Sequence, residues 1–357
     1  MSLVADPLGV RARTRRNTFV VLVLVLLLVV TATAAVAVGA VFVAPADVVG
    51  IVAHSAVGWP AVGDWPAEHE AIVWSVRLPR VLLGLAVGAG LAVCGAALQA
   101  MVRNVLADPY VLGINSGASC GAAAAILFGA FASLGEHALS GSAFLGALAA
   151  SLLVFAVARA AGVVTSVRLL LAGVAVGYAL SASTSFLVFA SGSAEGARSV
   201  MFWLLGSLAL ATWGSPLTVV LVVTVAVVVL LRWWAPGLDA LAIGDETART
   251  VGVDPVAFRT RLLVLVSLGV GVLVAASGSI GFVGLVVPHL ARRLVGAAHR
   301  WVVPVSALLG ASLLLWADLL ARTLMAPQEL PLGIVTALVG APFLLHLIRN
   351  QYSTEKS

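Results

Sequence analysis

The chain has few charged residues and almost no lysine. Only 10% of its 357 residues are charged, whereas a soluble domain carries about a quarter, so a soluble globular fold is excluded. The one lysine is Lys356, and an ATP-binding P-loop needs a lysine followed by Ser or Thr at the start of a helix. We therefore expect that the chain is not an enzyme and that ATP and Mg²⁺, if they drive it, are bound by a separate ATPase.

Groups that bind metals or protons are also sparse. The two cysteines, Cys94 and Cys120, lie within apolar runs, and the six histidines are scattered, so we predict no disulfide framework, no metal and no cofactor site in this chain. The paired intramembrane carboxylates of proton-coupled carriers are missing as well. The net charge of +5 is spread over loops rather than one face, which favours contact with membrane lipid over nucleic acid.

Long apolar runs separate the few charges. Hydrophobic residues make up 62% of the chain, and its mean hydropathy is +1.13. The runs cover 17–46, 81–102, 109–135, 137–158, 169–194, 199–231, 262–291, 301–317 and 330–348. Most reach the roughly 20 residues that cross a bilayer as a helix. Strands of a membrane barrel are about 10 residues long and alternate in polarity, which these runs do not. The sequence therefore predicts an all-α polytopic membrane protein.

The basic residues predict the orientation of the spans. Because such residues collect in cytoplasmic loops, we place the arginine-rich tail 1–17 in the cytoplasm. Basic residues flank both ends of the run 262–291, so we expect it to cross twice and to turn within Gly278–Gly284. The result is a single transmembrane domain over 1–357, with about ten helices, both termini in the cytoplasm and a cytoplasmic loop at 235–260.

Arg77 and Arg80 fall on the external side in this arrangement, against the usual bias. Arg322 reaches the same side, four residues after Asp318, with which an i,i+4 ion pair is expected. Arginine forms bidentate pairs with carboxylates, so we expect these side chains to point outward and to bind an acidic docking protein. The alternative is that they extend to lipid phosphates.

The loop 235–260 contains a short helical segment with apolar residues. Asp245 is placed to cap this helix, and Gly252 to end it. Its apolar residues are Leu238, Leu241, Ile243 and Val251. Two interpretations remain open: a helix that lies on the lipid surface, or a coupling helix that inserts into a groove on a partner.

Several motifs follow one another over about residues 70–345. They are Arg77-Leu-Pro-Arg80, Gln99-Ala-Met-Val-Arg-Asn-Val-Leu-Ala-Asp-Pro109, Leu112-Gly-Ile-Asn-Ser-Gly-Ala118, Arg168-Leu-Leu-Leu-Ala-Gly-Val174, Gly244-Asp-Glu-Thr-Ala-Arg249 with Gly252, Gly281-Phe-Val-Gly-Leu-Val-Val-Pro-His289, and Glu329-Leu-Pro-Leu-Gly-Ile-Val-Thr-Ala-Leu-Val-Gly-Ala-Pro342. This series resembles the iron-siderophore (FecCD-like) permease family of bacterial ABC importers, the group that includes the vitamin B12 importer permease. The resemblance implies a type II importer fold and a dimer of two identical or closely related permeases. It also implies two cytoplasmic ATPase subunits and one extracytoplasmic substrate-binding protein.

The resemblance also implies roles for individual residues. Arg77, Arg80 and Arg322 match arginines that dock the binding protein. The residues that match the cytoplasmic gate are Asn104, Leu106, Thr165 and Ser166. The residues that match the segment coupled to the ATPase are Leu241, Gly244, Asp245, Glu246, Ala248, Arg249 and Gly252. The chain departs from the family at Val105, where the family usually has proline, and this departure predicts a less rigid gate loop.

The function that these inferences favour is import of an iron-siderophore-type chelate across the bacterial inner membrane, by the permease subunit of an ATP-binding-cassette importer. Heme and cobalamin are the alternatives within the family. An ion-coupled secondary transporter is the alternative from another class, and it would need no ATPase.

Overall fold

The structure is a computed structural model that describes residues 9–60, 63–160 and 165–354. Within these ranges every regular element is helical, as the sequence predicts. The α-helices are α1 (Val10–Ala37), α2 (Pro45–Val57), α3 (Ala67–Glu70), α4 (Leu78–Val102), α5 (Ile114–Phe128), α6 (Ala138–Ala160), α7 (Ser166–Ser191), α8 (Ala194–Leu204), α9 (Ser215–Trp233), α10 (Ala235–Ile243), α11 (Asp245–Thr250), α12 (Pro255–Ser277), α13 (Val283–Val295), α14 (His299–Thr323) and α15 (Leu332–Thr354). A π-helical segment, Ala71–Arg77, joins α3 to α4, and short 3₁₀ helices cover Pro109–Leu112 and Ala132–His137.

Seven of the described helical stretches are long and apolar enough to cross a membrane. They are Val10–Ala37, Ala67–Val102, Ala132–Ala160, Ser166–Ser191, Ser215–Trp233, Pro255–Ser277 and His299–Thr323. Helices α5, α13 and α15 complete the predicted set of about ten spans. The 15 residues of α5 are about 22 Å long at 1.5 Å per residue, which is shorter than the bilayer core. The 3₁₀ helix Pro109–Leu112 comes shortly before α5, and the irregular backbone of residues 278–282 comes directly before α13.

Helix α4 forms the centre of the bundle. It packs against α9, α12, α13 and α14, and nearly all of its residues are buried. Glycines allow this close approach, because a Cβ at Gly88 would overlap the Gly310 carbonyl oxygen, and one at Gly95 would overlap that of Gly284. The small-residue contacts that let membrane helices approach closely thus lie within this chain.

The predicted turn between α12 and α13 is present. Helix α12 ends at Ser277, and α13 begins at Val283. Gly278 has a φ of +67° and lies against the Trp203 carbonyl, so a side chain there would be both strained and blocked. The two expected crossings of 262–291 therefore correspond to two separate helices, which five residues join.

Two segments that the sequence places outside the spans, the tail 1–17 and the loop 235–260, contain helical residues. Helix α1 begins at Val10, so most of the described part of the tail 1–17 is helical. The loop 235–260 contains α10, α11 and the first residues of α12, because Pro255 and the cap at Asp254 start a helix there.

Candidate docking, gate and coupling sites

Arg80 lies at the centre of a buried ionic cluster. Its Nε donates to Asp318 Oδ1 at 2.9 Å, and its two terminal nitrogens donate to the two carboxylate oxygens of Glu329, each at 2.9 Å. Arg322 Nε lies 3.0 Å from Asp318 Oδ2, but the two are poorly aligned for a hydrogen bond, so this contact is an ion pair only. The predicted i,i+4 pair is thus confirmed, and Arg80 joins it from another helix.

Arg77 and Arg322 bind the carboxyl end of α1. Arg77 Nη1 donates to the carbonyls of Val36 and Ala37 at 2.7 and 3.0 Å, and Arg322 Nη2 donates to that of Ala35 at 2.9 Å. Cations at a helix carboxyl end satisfy its free carbonyls and interact favourably with its dipole. The two arginines therefore connect α1 to the rest of the bundle.

The expectation that these guanidinium groups point outward is wrong for the isolated chain. Arg77 and Arg80 are only 6% and 8% exposed. The physical reason is the supply of carbonyl and carboxylate oxygens from α1, from α14 and from the segment before α15, which lie far away in sequence. Glu329 is the accessible member of the cluster: its side chain is 43% exposed and lines a cavity of about 830 Å³.

The predicted gate residues lie on two adjacent segments at the opposite end of α4. Asn104, Leu106 and Thr165 are exposed, whereas Ser166 is buried. The Ser166 hydroxyl donates to the Met101 carbonyl at 3.1 Å, which brings the start of α7 against the end of α4. Thr165 caps α7 through its Oγ1. Residues 161–164 lie outside the described ranges.

Val105 occupies the second position of a tight turn. Ala107 N donates to the Asn104 carbonyl at 3.1 Å, and Leu106 N donates to Asn104 Oδ1 at 2.9 Å. Asparagine at the first position of such a turn fixes it through its own side chain. The loop therefore keeps an ordered shape although the family proline is absent.

Val105→Pro is expected to stabilise the chain by about 0.4–1 kcal/mol, because proline suits the second position of this turn and restricts the unfolded chain. Thermal unfolding in detergent measures the change. Leu106→Pro is the matched control: it removes the N–H that Asn104 Oδ1 accepts, so it should destabilise. Equal destabilisation by both prolines would contradict the turn assignment.

The coupling segment consists of two helices that meet at Gly244. Leu241 and Ala248, which the sequence assigns to the ATPase contact, are fully buried inside the chain. Both side chains pack inward on the bundle, so the contact expected of this segment would be made by its exposed residues. Exposed residues of the segment include Ile243, Glu246, Arg249, Val251 and Gly252, and we call these five the coupling face.

The sequence suggests that Asp245 caps α11. In the structure Asp245 is instead the first residue of this helix, and it binds an arginine. Both of its carboxylate oxygens accept from Arg259, at 2.6 and 2.9 Å. These hydrogen bonds hold the pKa of the Asp245 carboxyl below its usual range. The stabilisation is present above the ordinary aspartate pKa of about 3.9 and is lost as the pH falls through the lowered folded value.

Several partners in these sites could not be found from the sequence. Arg80 and Glu329 are 249 residues apart, and the Ser166 hydroxyl binds a main-chain carbonyl. Arg259 appears in the sequence only as one of the basic residues that flank an apolar run. Among the described residues, no group of three or more His, Cys, Asp or Glu side chains could hold a metal.

Comparison with known proteins identifies the family. Residues 5–350 match the FecCD transport family. The cobalamin import system permease BtuC of Halobacterium salinarum is 44% identical, over 80% of this chain and 75% of its own length. The hemin permease HmuU of Yersinia pestis is 42% identical (80% of this chain, 87% of its own), and the Fe(3+)-citrate permease YfmD of Bacillus subtilis is 38% identical (80% and 83%).

A solved structure has the same fold. It is a chain of a metal-chelate type ABC transporter in an inward-facing conformation, 33% identical, with a TM-score of 0.81 over 93% of this chain and 99% of that one. Sequence and fold therefore agree over almost the whole chain. The protein belongs to the FecCD transport family and is the membrane-spanning permease subunit of an ABC importer of the metal-chelate type.

Proposed function

We propose that this permease imports an iron-siderophore-type chelate into the bacterial cytoplasm, as one of two permease copies in the inner membrane. Two ATPase subunits that bind ATP and Mg²⁺ contact its coupling face, and an extracytoplasmic binding protein delivers the cargo. Both termini then lie in the cytoplasm. The observation that carries the proposal is the match to the FecCD family over residues 5–350.

The relatives that carry iron compounds support an iron chelate as the cargo. Two of the named relatives carry hemin and ferric citrate, both of which contain iron, and the third carries cobalamin. Heme and cobalamin therefore stay the alternatives.

Uptake by proteoliposomes tests the function and the cargo together. The permease is reconstituted with its cognate ATPase and binding protein, and uptake of a radioiron-labelled siderophore is compared with that of hemin and cobalamin. We expect uptake of the siderophore that needs ATP and both partners. Uptake driven by an ion gradient without the ATPase would show that the protein is a secondary transporter instead. A preference for hemin or cobalamin would show that this compound, rather than a siderophore, is the cargo.

A second permease copy is supported by the unpaired face of α7. Leu171, Tyr178 and Phe189 are between 65% and 85% exposed on one side of this helix. Ser181 and Ser185 are exposed beside them, and Ser185 donates to the Ser181 carbonyl. We therefore place the translocation pathway between the α7 helices of two copies.

The gate proposal is tested by cysteines at exposed positions. Cysteine at Asn104 or Thr165 is expected to crosslink the two copies in the resting state and to block uptake. Ser166→Cys is the matched control, because this position is buried and should not crosslink. The parent chain, with its native Cys94 and Cys120, gives the background. No crosslink at 104 or 165 in any nucleotide state would contradict the gate.

Docking of the binding protein involves an exchange of carboxylates at Arg80. Because Glu329 is exposed and Asp318 is not, we propose that a carboxylate of the binding protein replaces Glu329 on Arg80. Such a replacement conserves the bidentate pairing that arginine favours. Arg77 and Arg322 lie beside this site and add positive charge to it.

Arg80→Glu is expected to abolish uptake, since loss of one partner of a buried charge pair costs about 2–5 kcal/mol. This loss alone would not separate docking from folding, so an acid-to-arginine change on the binding protein is tested for partial rescue. Arg198→Glu, an exposed arginine on α8, is the control and should leave uptake unchanged. Normal binding-protein affinity and uptake after Arg77→Ala, Arg80→Ala and Arg322→Ala together would refute docking.

A further inference from the structure

Arg259 is a buried cation that connects three segments of the chain. It lies one turn into α12, and only 2% of its surface is exposed. Its terminal nitrogens bind both carboxylate oxygens of Asp245, the first residue of α11. Its Nε points at the Met101 carbonyl, at the long distance of 3.5 Å. One side chain thus contacts the coupling segment and the end of α4.

The Met101 carbonyl is shared with the gate. Ser166, the first residue of α7, donates to the same oxygen at 3.1 Å. Met101 precedes the gate turn at Asn104 by three residues, and Arg103 between them lies 3.9 Å from Asp245. Asp245, Arg259, Met101 and Ser166 therefore form a continuous polar chain from α11 to both gate segments.

Helix α11 is placed to move relative to its neighbours. Gly244, before it, has φ 156° and ψ 163°, and Gly252, after it, has a φ of 81°. Glycine tolerates changes in these angles that other residues resist. A short helix between two such positions can be displaced at its coupling face, while a bidentate ion pair keeps both distance and orientation at Asp245.

We infer that the Asp245–Arg259 pair transmits displacement of α11 to the gate, with Arg259 as a positioning residue that moves the Met101 end of α4 and the start of α7. This inference rests on the proposed function, in which an ATPase moves the coupling face. It assigns a transport role to Arg259, whose side chain is buried within the permease. The alternative is a purely structural role, in which the pair only stabilises the fold.

The test uses the complete importer in proteoliposomes with Asp245→Asn, Arg259→Gln, and the exchange Asp245→Arg with Arg259→Asp. Three quantities are measured: ATP hydrolysis, uptake, and the nucleotide dependence of crosslinking through Asn104→Cys. We expect the single variants to hydrolyse ATP but to take up cargo about tenfold more slowly than the wild type. Their crosslinking should no longer depend on ATP. The exchanged pair should recover part of both. Arg261→Gln, an exposed arginine on the same helix, is the matched control and should resemble the wild type.

The outcomes separate this inference from the proposed function. Wild-type importer without ATP-dependent uptake would refute the function itself. Active wild type with single variants that keep uptake and ATP-dependent crosslinking would overturn the link alone. If the single variants and the exchanged pair all fail to assemble, the pair serves folding and the inference is likewise overturned. Asp245→Asn guards against a trivial folding failure, since its side chain is about one-third exposed.

Discussion

Asp318→Asn is expected to destabilise the permease by about 3–5 kcal/mol, the cost of breaking a buried ion pair from one side. Asp318 is fully buried and compensates both Arg80 and Arg322. Its amide replacement would leave two guanidinium groups with Glu329 as the remaining carboxylate of the cluster. Reversible unfolding in mixed micelles measures the loss, which also weakens the attachment of α1 through Arg322.

Two further variants make this prediction specific. Glu329→Gln removes the exposed carboxylate of the same cluster and should cost clearly less, because solvent replaces part of its interaction with Arg80. Glu136→Gln changes a side chain that is 87% exposed and should shift stability by less than about 0.5 kcal/mol. An Asp318→Asn protein as stable as the Glu136→Gln protein would show that the cluster contributes nothing to folding.

Reversal of two charges on the coupling face is expected to separate ATP hydrolysis from transport. Glu246 and Arg249 are exposed, one turn apart on α11, so Glu246→Lys with Arg249→Glu should leave the fold intact. It reverses the charges that the proposed ATPase groove would meet, and like charges across an interface cost several kcal/mol. Uptake should fall to background while ATP hydrolysis and membrane insertion persist, as measured by both activities in proteoliposomes and by the amount of protein in the membrane.

A similar pair on another helix controls for charge reversal itself. Glu195 and Arg198 are exposed and three residues apart on α8, so Glu195→Lys with Arg198→Glu makes the same chemical change away from the coupling face. This variant should keep the ATPase bound after purification. Normal uptake by the Glu246 and Arg249 variant would assign α11 to the lipid surface, the alternative that the sequence leaves open.

The helical class and most spans follow from the sequence because they depend on the hydropathy summed over neighbouring residues. A run such as 301–317 is apolar over its whole length, and α14 forms around it with its ends set by nearby polar residues. The two crossings of 262–291 follow in the same way, from basic flanks and glycines within the run. The short length of α5 does not follow from the sequence. The chain before α5 is held by two hydrogen bonds between the Tyr110 hydroxyl and the main chain of Ile280, 170 residues away. The helix begins after this contact, at Ile114.

The sites were predicted as groups of residues rather than as geometry. Arg77, Arg80 and Arg322 do lie together, but they point into the chain, because carbonyls of α1 and carboxylates of α14 and the following segment reach them first. Asp245 belongs to the coupling segment, yet it binds Arg259 in place of the α11 amides. In both cases a strong distant partner prevails over the local interaction that the sequence suggests.

The sequence by itself determined the membrane class, the approximate spans and the family of this protein, because hydropathy and motifs are properties of neighbouring residues. Only the tertiary structure decided which partner each charged side chain has. An arginine in an apolar bundle must find oxygen atoms wherever the fold supplies them. For Arg80 these atoms are 238 and 249 residues away, and no local pattern in the chain records that distance.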